Sequence, residues 1–124
     1  MILITGATGN VGLPLVRQLK AAGVPLLAGT DAALNTVHGA SLHRELELLV
    51  RAGLTPLEAL ASATSQPARL FDLPDRGRIA PGLRADLLLV EGDPTTDILA
   101  TRSIAGVWKQ GIEVDRQRYR QQLR

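Results

Sequence analysis

The sequence predicts an α/β fold, a small mixed sheet with helices packed against it, and three observations carry that expectation. Apolar residues recur at helical spacing over residues 11–19, 42–50 and 57–64. Short β-type runs crowd residues 78–114, and glycine and proline punctuate the joins. The 124 residues are 45% hydrophobic, 21% charged and 2% aromatic, an aliphatic balance that suits one compact unit. At this length roughly two-thirds of the unfolded surface can be buried, whereas a complete (β/α)8 barrel of about 250 residues is out of reach. There is no cysteine, which excludes disulfide staples, thiolate-held metal and a cysteine nucleophile.

Met1 to Ile4 is a short apolar run. Thr5-Gly6-Ala7-Thr8-Gly9-Asn10-Val11-Gly12 follows, and then Val11, Leu15, Val16 and Leu19 at helical spacing, so residues 1–23 predict a Rossmann-like strand, glycine turn and helix. Pro14 falls in the first helical turn, where its missing N–H is harmless, and Gly23 with Val24-Pro25 supplies the stop. Leu26-Leu27-Ala28 is a second short run closing on Gly29-Thr30-Asp31, and residues 32–40 read as loop.

A helix is expected over 41–52, with Leu42, Leu46, Leu49 and Val50 as its apolar stripe, His43, Arg44, Glu47 and Arg51 mostly on other faces, and Gly53 as its end. Thr55-Pro56-Leu57-Glu58 opens a second helix over 56–65. Thr55 can cap, Pro56 fits the first position and Glu58 completes a capping box. Gln66-Pro67 ends it, in a short turn that closes at Leu70-Phe71.

After Asp75-Arg76-Gly77 the texture becomes β. Residues 78–80, 86–90, 104–108 and 112–114 are strand-like and separated by Pro81-Gly82, Gly92-Asp93-Pro94 and Lys109-Gln110-Gly111. The last two predict a hairpin. Leu87-Leu88-Leu89-Val90 is continuous rather than alternating, which predicts cover on both faces, and Trp108 is expected in the core.

Charge is uneven. Residues 1–30 carry Arg17 and Lys20 without an acid, residues 31–115 carry all 12 acids against eight bases, and Arg116, Arg118, Arg120 and Arg124 close the chain. Four tail arginines with only Tyr119 among them, outside any recognisable binding module, predict a solvated tail and no nucleic-acid partner. The apolar stretches fall well short of the roughly 20 residues that span a bilayer, and no cationic leader opens the sequence. No membrane partner and a cytoplasmic location are therefore expected.

Two motifs carry chemistry. The glycine turn fits Gly-x-x-Gly-x-x-Gly between a strand and a helix, a geometry in which free N–H groups and the positive helix end attract a pyrophosphate. It resembles the opening of NmrA-like atypical short-chain dehydrogenases over residues 1–23, which implies an NAD(P) site at Gly6, Gly9 and Gly12. Asp31 lies at a workable distance to hold the ribose hydroxyls. No Tyr-x-x-x-Lys pair exists, since the chain's single tyrosine is Tyr119. A turn retained for packing alone accounts for these glycines equally well.

From residue 20 a second resemblance begins. Ala22-Gly23-Val24-Pro25-Leu26-Leu27-Ala28-Gly29-Thr30-Asp31 and His38-Gly39-Ala40-Ser41-Leu42-His43-Arg44-Glu45-Leu46 come first. Ala52 to Leu60, Ala63-Thr64-Ser65-Gln66-Pro67-Ala68, Gly77 to Leu87 and Gly92-Asp93-Pro94 follow. In this order they resemble the C-terminal part of metal-dependent amidohydrolases of the imidazolonepropionase and prolidase-like group. The resemblance implies that residues 24–124 comprise the last barrel strand, its helices and the segment of a flanking β-sandwich.

It also implies that Asp31 ends that strand, binds a divalent metal, zinc in this family, and takes a proton from the attacking water. An aspartate that merely closes a turn is the simpler alternative. Asp86 and Asp93 match signature positions that lie away from the metal, so a structural role is expected for them. His43 is expected on an exposed helix face and His38 in a loop, neither at the family's ligand positions. The histidines of the first barrel strand have no counterpart here, and a catalytic zinc normally needs three protein ligands.

The joined resemblances predict a chimeric or truncated chain, amidohydrolase-like and catalytically incomplete by itself, acting on carbon–nitrogen bonds of a small-molecule substrate. An NAD(P)-binding module and a non-catalytic interaction domain stay open as alternatives. Exposed apolar helix faces are expected to favour a homo-oligomer.

Overall fold

The computed structural model describes residues 12–30 and 39–122. Helix α1 spans Gly12–Ala21, α2 Ala40–Arg51, α3 Pro56–Ala63 and α4 Ser65–Leu70. Strand β1 (Leu87–Val90), a 3-10 helix (Ile98–Arg102), β2 (Ile104–Lys109), β3 (Ile112–Glu113) and α5 (Arg116–Gln122) complete the order. The sheet runs β1-β2-β3 and is antiparallel at both ladders, with a bulge between Leu89 and Val90. This is the α/β arrangement of helices and small sheet that the sequence predicts.

The first two helices end alike. Val24 N–H bonds to Leu19 O and Gly23 N–H to Lys20 O, while Leu54 N–H bonds to Leu49 O and Gly53 N–H to Val50 O. These paired bonds need a left-handed residue, supplied by Gly23 at φ +69° and Gly53 at φ +111°. Helix α3 starts on the full capping box: Thr55 Oγ1 accepts from Glu58 N–H, and Glu58 Oε2 accepts from Thr55 N–H, with Pro56 at the first position.

One core joins the helices. Val16 of α1, Leu46 and Leu49 of α2, Ala52, Leu54, Ala59 of α3 and Ile98 of the 3-10 helix are buried together. Polar links tie α1 to the same body: Arg17 Nε donates to Ala52 O at 3.3 Å, and Lys20 Nζ reaches Gly53 O at 2.8 Å and Glu58 Oε2 at 2.7 Å. Ile98 couples the sheet half to the helical half. Its helix is capped by Asp97, whose side chain accepts from Leu99 N–H.

Several expectations are corrected. Gln66-Pro67 does not end the helical region. Thr64, with φ −131° and ψ −84°, breaks it instead, and α4 restarts with Pro67 in its first turn. A first-turn N–H has no helical partner, so proline is tolerated there. Residues 78–80 form no strand. Ile79 is 88% exposed, and the segment is folded back by Arg84 N–H on Asp75 O.

Strand β1 is not covered on both faces: Leu88 and Leu89 are 51% and 54% exposed. No second layer among the described residues lies over them. Trp108 is half-buried rather than fully in the core, its ring lying where a side chain at Gly106 would stand. The β2-β3 hairpin forms as expected, with Gln110 (φ 53°) and Gly111 (φ 78°) as its two central residues. The strand expected at residues 1–4 and the glycine turn through Val11 lie outside the described residues. So does the loop over residues 31–38.

Candidate functional site

The site is built around the end of segment 24–30, which leads into Asp31. Asp31 itself, Gly6, Gly9 and His38 lie outside the described residues, and Gly12 is the buried first residue of α1. The segment before Asp31 is held by α3: Ala28 N–H donates to Ser62 O at 3.0 Å. The Gly29 N–H favours the charged form of the Glu45 carboxyl on α2. Ser62 is buried, with its own hydroxyl on Ala59 O at 2.6 Å, so the carbonyl that receives Ala28 belongs to a rigid turn. Leu26 and Ala28 pack against the core from the same segment.

Glu45 is the residue that sequence reasoning missed. It is half-buried, and burial raises its carboxyl above the ordinary carboxylate value, with the Gly29 N–H pulling the other way. A signal was present. Glu45 stands four residues before Leu49 and seven before Ala52, both buried, so its Cβ projects from the stripe that faces the core.

His43 is not on an exposed face. It is half-buried, and its Nδ1 lies 3.1 Å from Thr101 Oγ1. Thr101 spends its proton on Ile98 O at 2.8 Å, so its oxygen must accept and His43 Nδ1 must carry the hydrogen. Burial lowers the His43 pKa, and the Arg102 guanidinium lowers it further. Nearby, Glu47 receives Arg44 and, at 3.2 Å, Arg102, and these cations hold its carboxyl below the usual range. This cluster fastens α2 to the 3-10 helix.

Asp86 and Asp93 act structurally, as expected. Asp86 accepts the N–H of Gln110 at 2.8 Å in the hairpin and pairs with Arg84 at 2.7 Å. Asp93 accepts both Thr95 N–H at 2.9 Å and Thr95 Oγ1 at 2.6 Å, closing its turn.

Among the described residues no group of three or more His, Cys, Asp or Glu could hold a metal ion. His43 has one ring nitrogen committed to Thr101. The described side chains therefore do not fit a metal centre by themselves.

The profile of the amidohydrolase family matches residues 7–114. The chain belongs to the amidohydrolase family. An imidazolonepropionase from Deinococcus deserti is 36% identical over 118 residues, which cover 90% of this chain and 30% of that protein. One from Ruegeria is 44% identical over 94 residues, 69% of this chain and 22% of the relative. The chain thus spans less than a third of the length of these curated relatives.

The crystal structure of a Xaa-Pro dipeptidase with methionine bound in its active site superposes with a TM-score of 0.76 at 32% identity, over 85% of this chain and 26% of that one. That of molinate hydrolase superposes with a TM-score of 0.75 at 27% identity, over 86% and 27% of the two chains. The family match opens inside the glycine turn and includes α1, so the amidohydrolase likeness is not confined to residues 24–124. Amidohydrolases generally use a divalent metal. No helix among the described residues is long and apolar enough to cross a membrane.

Proposed function

We propose that this chain is the C-terminal segment of a metal-dependent amidohydrolase that hydrolyses carbon–nitrogen bonds of small amides, and that Asp31 accepts the proton of the attacking water. The observation that carries the reading is the family match over residues 7–114, with Ala28, three residues before Asp31, bonded to Ser62 O of α3. A carboxylate that follows a segment bonded to a helix suits general-base work, because proton transfer needs hydrogen-bond reach before it needs a tuned pKa.

By family likeness Asp31 is also a ligand of a divalent metal, zinc in our reading. One carboxylate does not satisfy a catalytic zinc, which takes about three protein ligands. The 124 residues alone are therefore catalytically incomplete, and the remaining ligands come from outside them. The reading includes a small-molecule substrate, a cytoplasmic location and self-association through exposed apolar helix positions such as Leu42 and Leu57. It includes no nucleic-acid or membrane partner. An NAD(P) site at Gly6, Gly9 and Gly12 gains no support from the comparisons, and neither does a chimeric origin.

The test is reconstitution. The chain is co-expressed with the part of the Deinococcus deserti relative that precedes its matched segment, and chelator-sensitive turnover of a panel of linear and cyclic amides is measured. The pair is expected to turn over and each part alone to be inert. Asp31→Asn should lower the rate by about 10²- to 10⁴-fold. Unchanged turnover in Asp31→Asn would overturn the role of Asp31, and chelator-sensitive, remetallation-rescued turnover by the purified chain would overturn its incompleteness.

A further inference from the structure

Where α4 meets the loop that follows it, the surface holds a cavity of about 350 Å³. Three arginines line it, Arg69 from the last turn of α4 and Arg76 and Arg78 from the loop. Arg76 is matched by Asp75, which accepts from its Nε at 2.8 Å and from its Nη2 at 3.0 Å. Arg69 has the neutral Gln66 Oε1 at 2.9 Å, and Arg78 has no acceptor among the described residues. Asp72 lies on the same rim and pairs with none of the three. Two guanidiniums without a carboxylate thus share one hollow, a positive surplus that an anionic ligand would offset.

The backbone adds to this. Among the described residues the N–H groups of Arg76, Gly77 and Arg78 have no acceptor. Successive unpaired N–H groups around a left-handed residue, here Gly77 at φ +86°, suit an anion. The loop that carries them is fixed before any ligand arrives. Leu73 N–H bonds to Ala68 O at 2.8 Å and Arg84 N–H to Asp75 O at 2.7 Å, and Gly77 presses on α4 so closely that a Cβ would stand 2.4 Å from that of Ala68. Little ordering is left for binding to impose. Ala68, Leu73 and Pro74 make an aliphatic part of the wall, and the volume suits a small organic molecule rather than a bare ion.

We propose that this cavity binds a small organic phosphate monoester, its phosphate on the Arg69 and Arg78 guanidiniums and the amides of residues 76–78, its apolar body on Ala68, Leu73 and Pro74. Guanidinium forks match phosphate oxygens two at a time. A monoester carries about −1.5 to −2 at pH 7, which answers the unpaired arginines. None of these residues belongs to segment 24–30 or to the cluster at His43, so the assignment does not depend on the role given to Asp31.

The test titrates the isotopically labelled 124-residue chain with phenyl phosphate in low salt and follows its amide and methyl resonances. Saturable shifts are expected at the Gly77 and Arg78 amides, while the core methyls of Val16 and Leu49 stay in place. Inorganic phosphate should bind roughly tenfold more weakly for want of apolar contact, and phenol should not bind. Arg69→Gln and Arg78→Gln should each weaken phenyl phosphate about tenfold, the loss of one charge-assisted pair. Arg78 has no partner to lose, so its variant keeps the fold, and unmoved Val16 and Leu49 signals check this. Arg51→Gln removes an exposed cation outside the cavity and should weaken binding less than about twofold. Asp72→Asn, which takes a like charge from the rim, should tighten it about threefold. The absence of saturable shifts with phenyl phosphate, inorganic phosphate binding as tightly, or an Arg51→Gln loss equal to that of Arg78→Gln would each overturn the proposal.

Discussion

Substituting Gly77 by alanine should be among the most damaging single-methyl additions available in this chain. Gly77 sits at φ +86°, and a Cβ built there would lie 2.4 Å from the Ala68 Cβ, 2.9 Å from Thr64 O and 3.2 Å from the Ser65 Cα. Carbon atoms at rest stand about 3.5–4.0 Å apart, so the turn after α4 would have to lift from the helix. Left-handed strain contributes about 1–2 kcal/mol and overpacking about 1–3 kcal/mol, for a total of roughly 2–5 kcal/mol. Urea unfolding at 25 °C reads this directly: with a slope of about 1.5 kcal/mol/M, the midpoint should fall by roughly 1.5–3 M. In the double variant Gly77→Ala/Ala68→Gly the clash with the Ala68 Cβ is gone, while the φ strain and the close backbone contacts with Thr64 O and Ser65 Cα remain. The pair should therefore be less destabilised than the sum of its singles by about 1–2 kcal/mol. A Gly77→Ala loss under about 0.5 kcal/mol, or strict additivity of the pair, would refute the packing argument.

Other expectations follow from the same contacts. Val16→Ala should cost about 2 kcal/mol and keep one unfolding transition in circular dichroism, because α1 shares the core of α2 and α3; a separate early transition would place α1 outside that cooperative unit. Thr55→Ala should cost about 1 kcal/mol by loss of the cap. Glu58→Gln, which keeps an acceptor for the Thr55 N–H and weakens an ion pair to Lys20 with both partners more than a third exposed, should change the urea midpoint far less.

For His43 the folded pKa lies below the ordinary 6.5, so between the two values the unfolded chain binds more protons. Its stabilising share is therefore full above pH 6.5 and is lost as pH falls through the folded value. Thermal scans should show wild type losing stability relative to His43→Gln over that window, and parallel curves would contradict the buried, Nδ1-protonated ring.

What was legible in the sequence is local chemistry. Thr55, Pro56 and Glu58 announced α3, Gly23 and Gly53 announced the ends of α1 and α2, and Gln110-Gly111 announced the hairpin, because each works through neighbours within a few residues. Pro67 misled because its effect depends on where the preceding turn breaks, a matter settled at Thr64 by packing. The 3-10 helix at Ile98–Arg102 was not foreseen, since its hold on the core is a single buried isoleucine. His43 and Glu45 were misread or missed for one reason. Their partners, Thr101 and Gly29, are distant in sequence or on another element, and a charged letter inside a helix looks solvated until the facing surface is known. The β1 leucines show the converse. Their continuous run predicts cover on both faces, yet among the described residues nothing closes over it.

That bare strand governs how the polypeptide behaves in a tube. Among the described residues β1 lies at the margin of a three-stranded ribbon, with no strand paired to its outer edge beside two wet leucines. Margins of this kind recruit whatever extended peptide they meet, and at high concentration the nearest one is another molecule's. Leu88→Lys, by placing a charge on that lip, should raise recoverable yield and suppress light scattering without disturbing the helices.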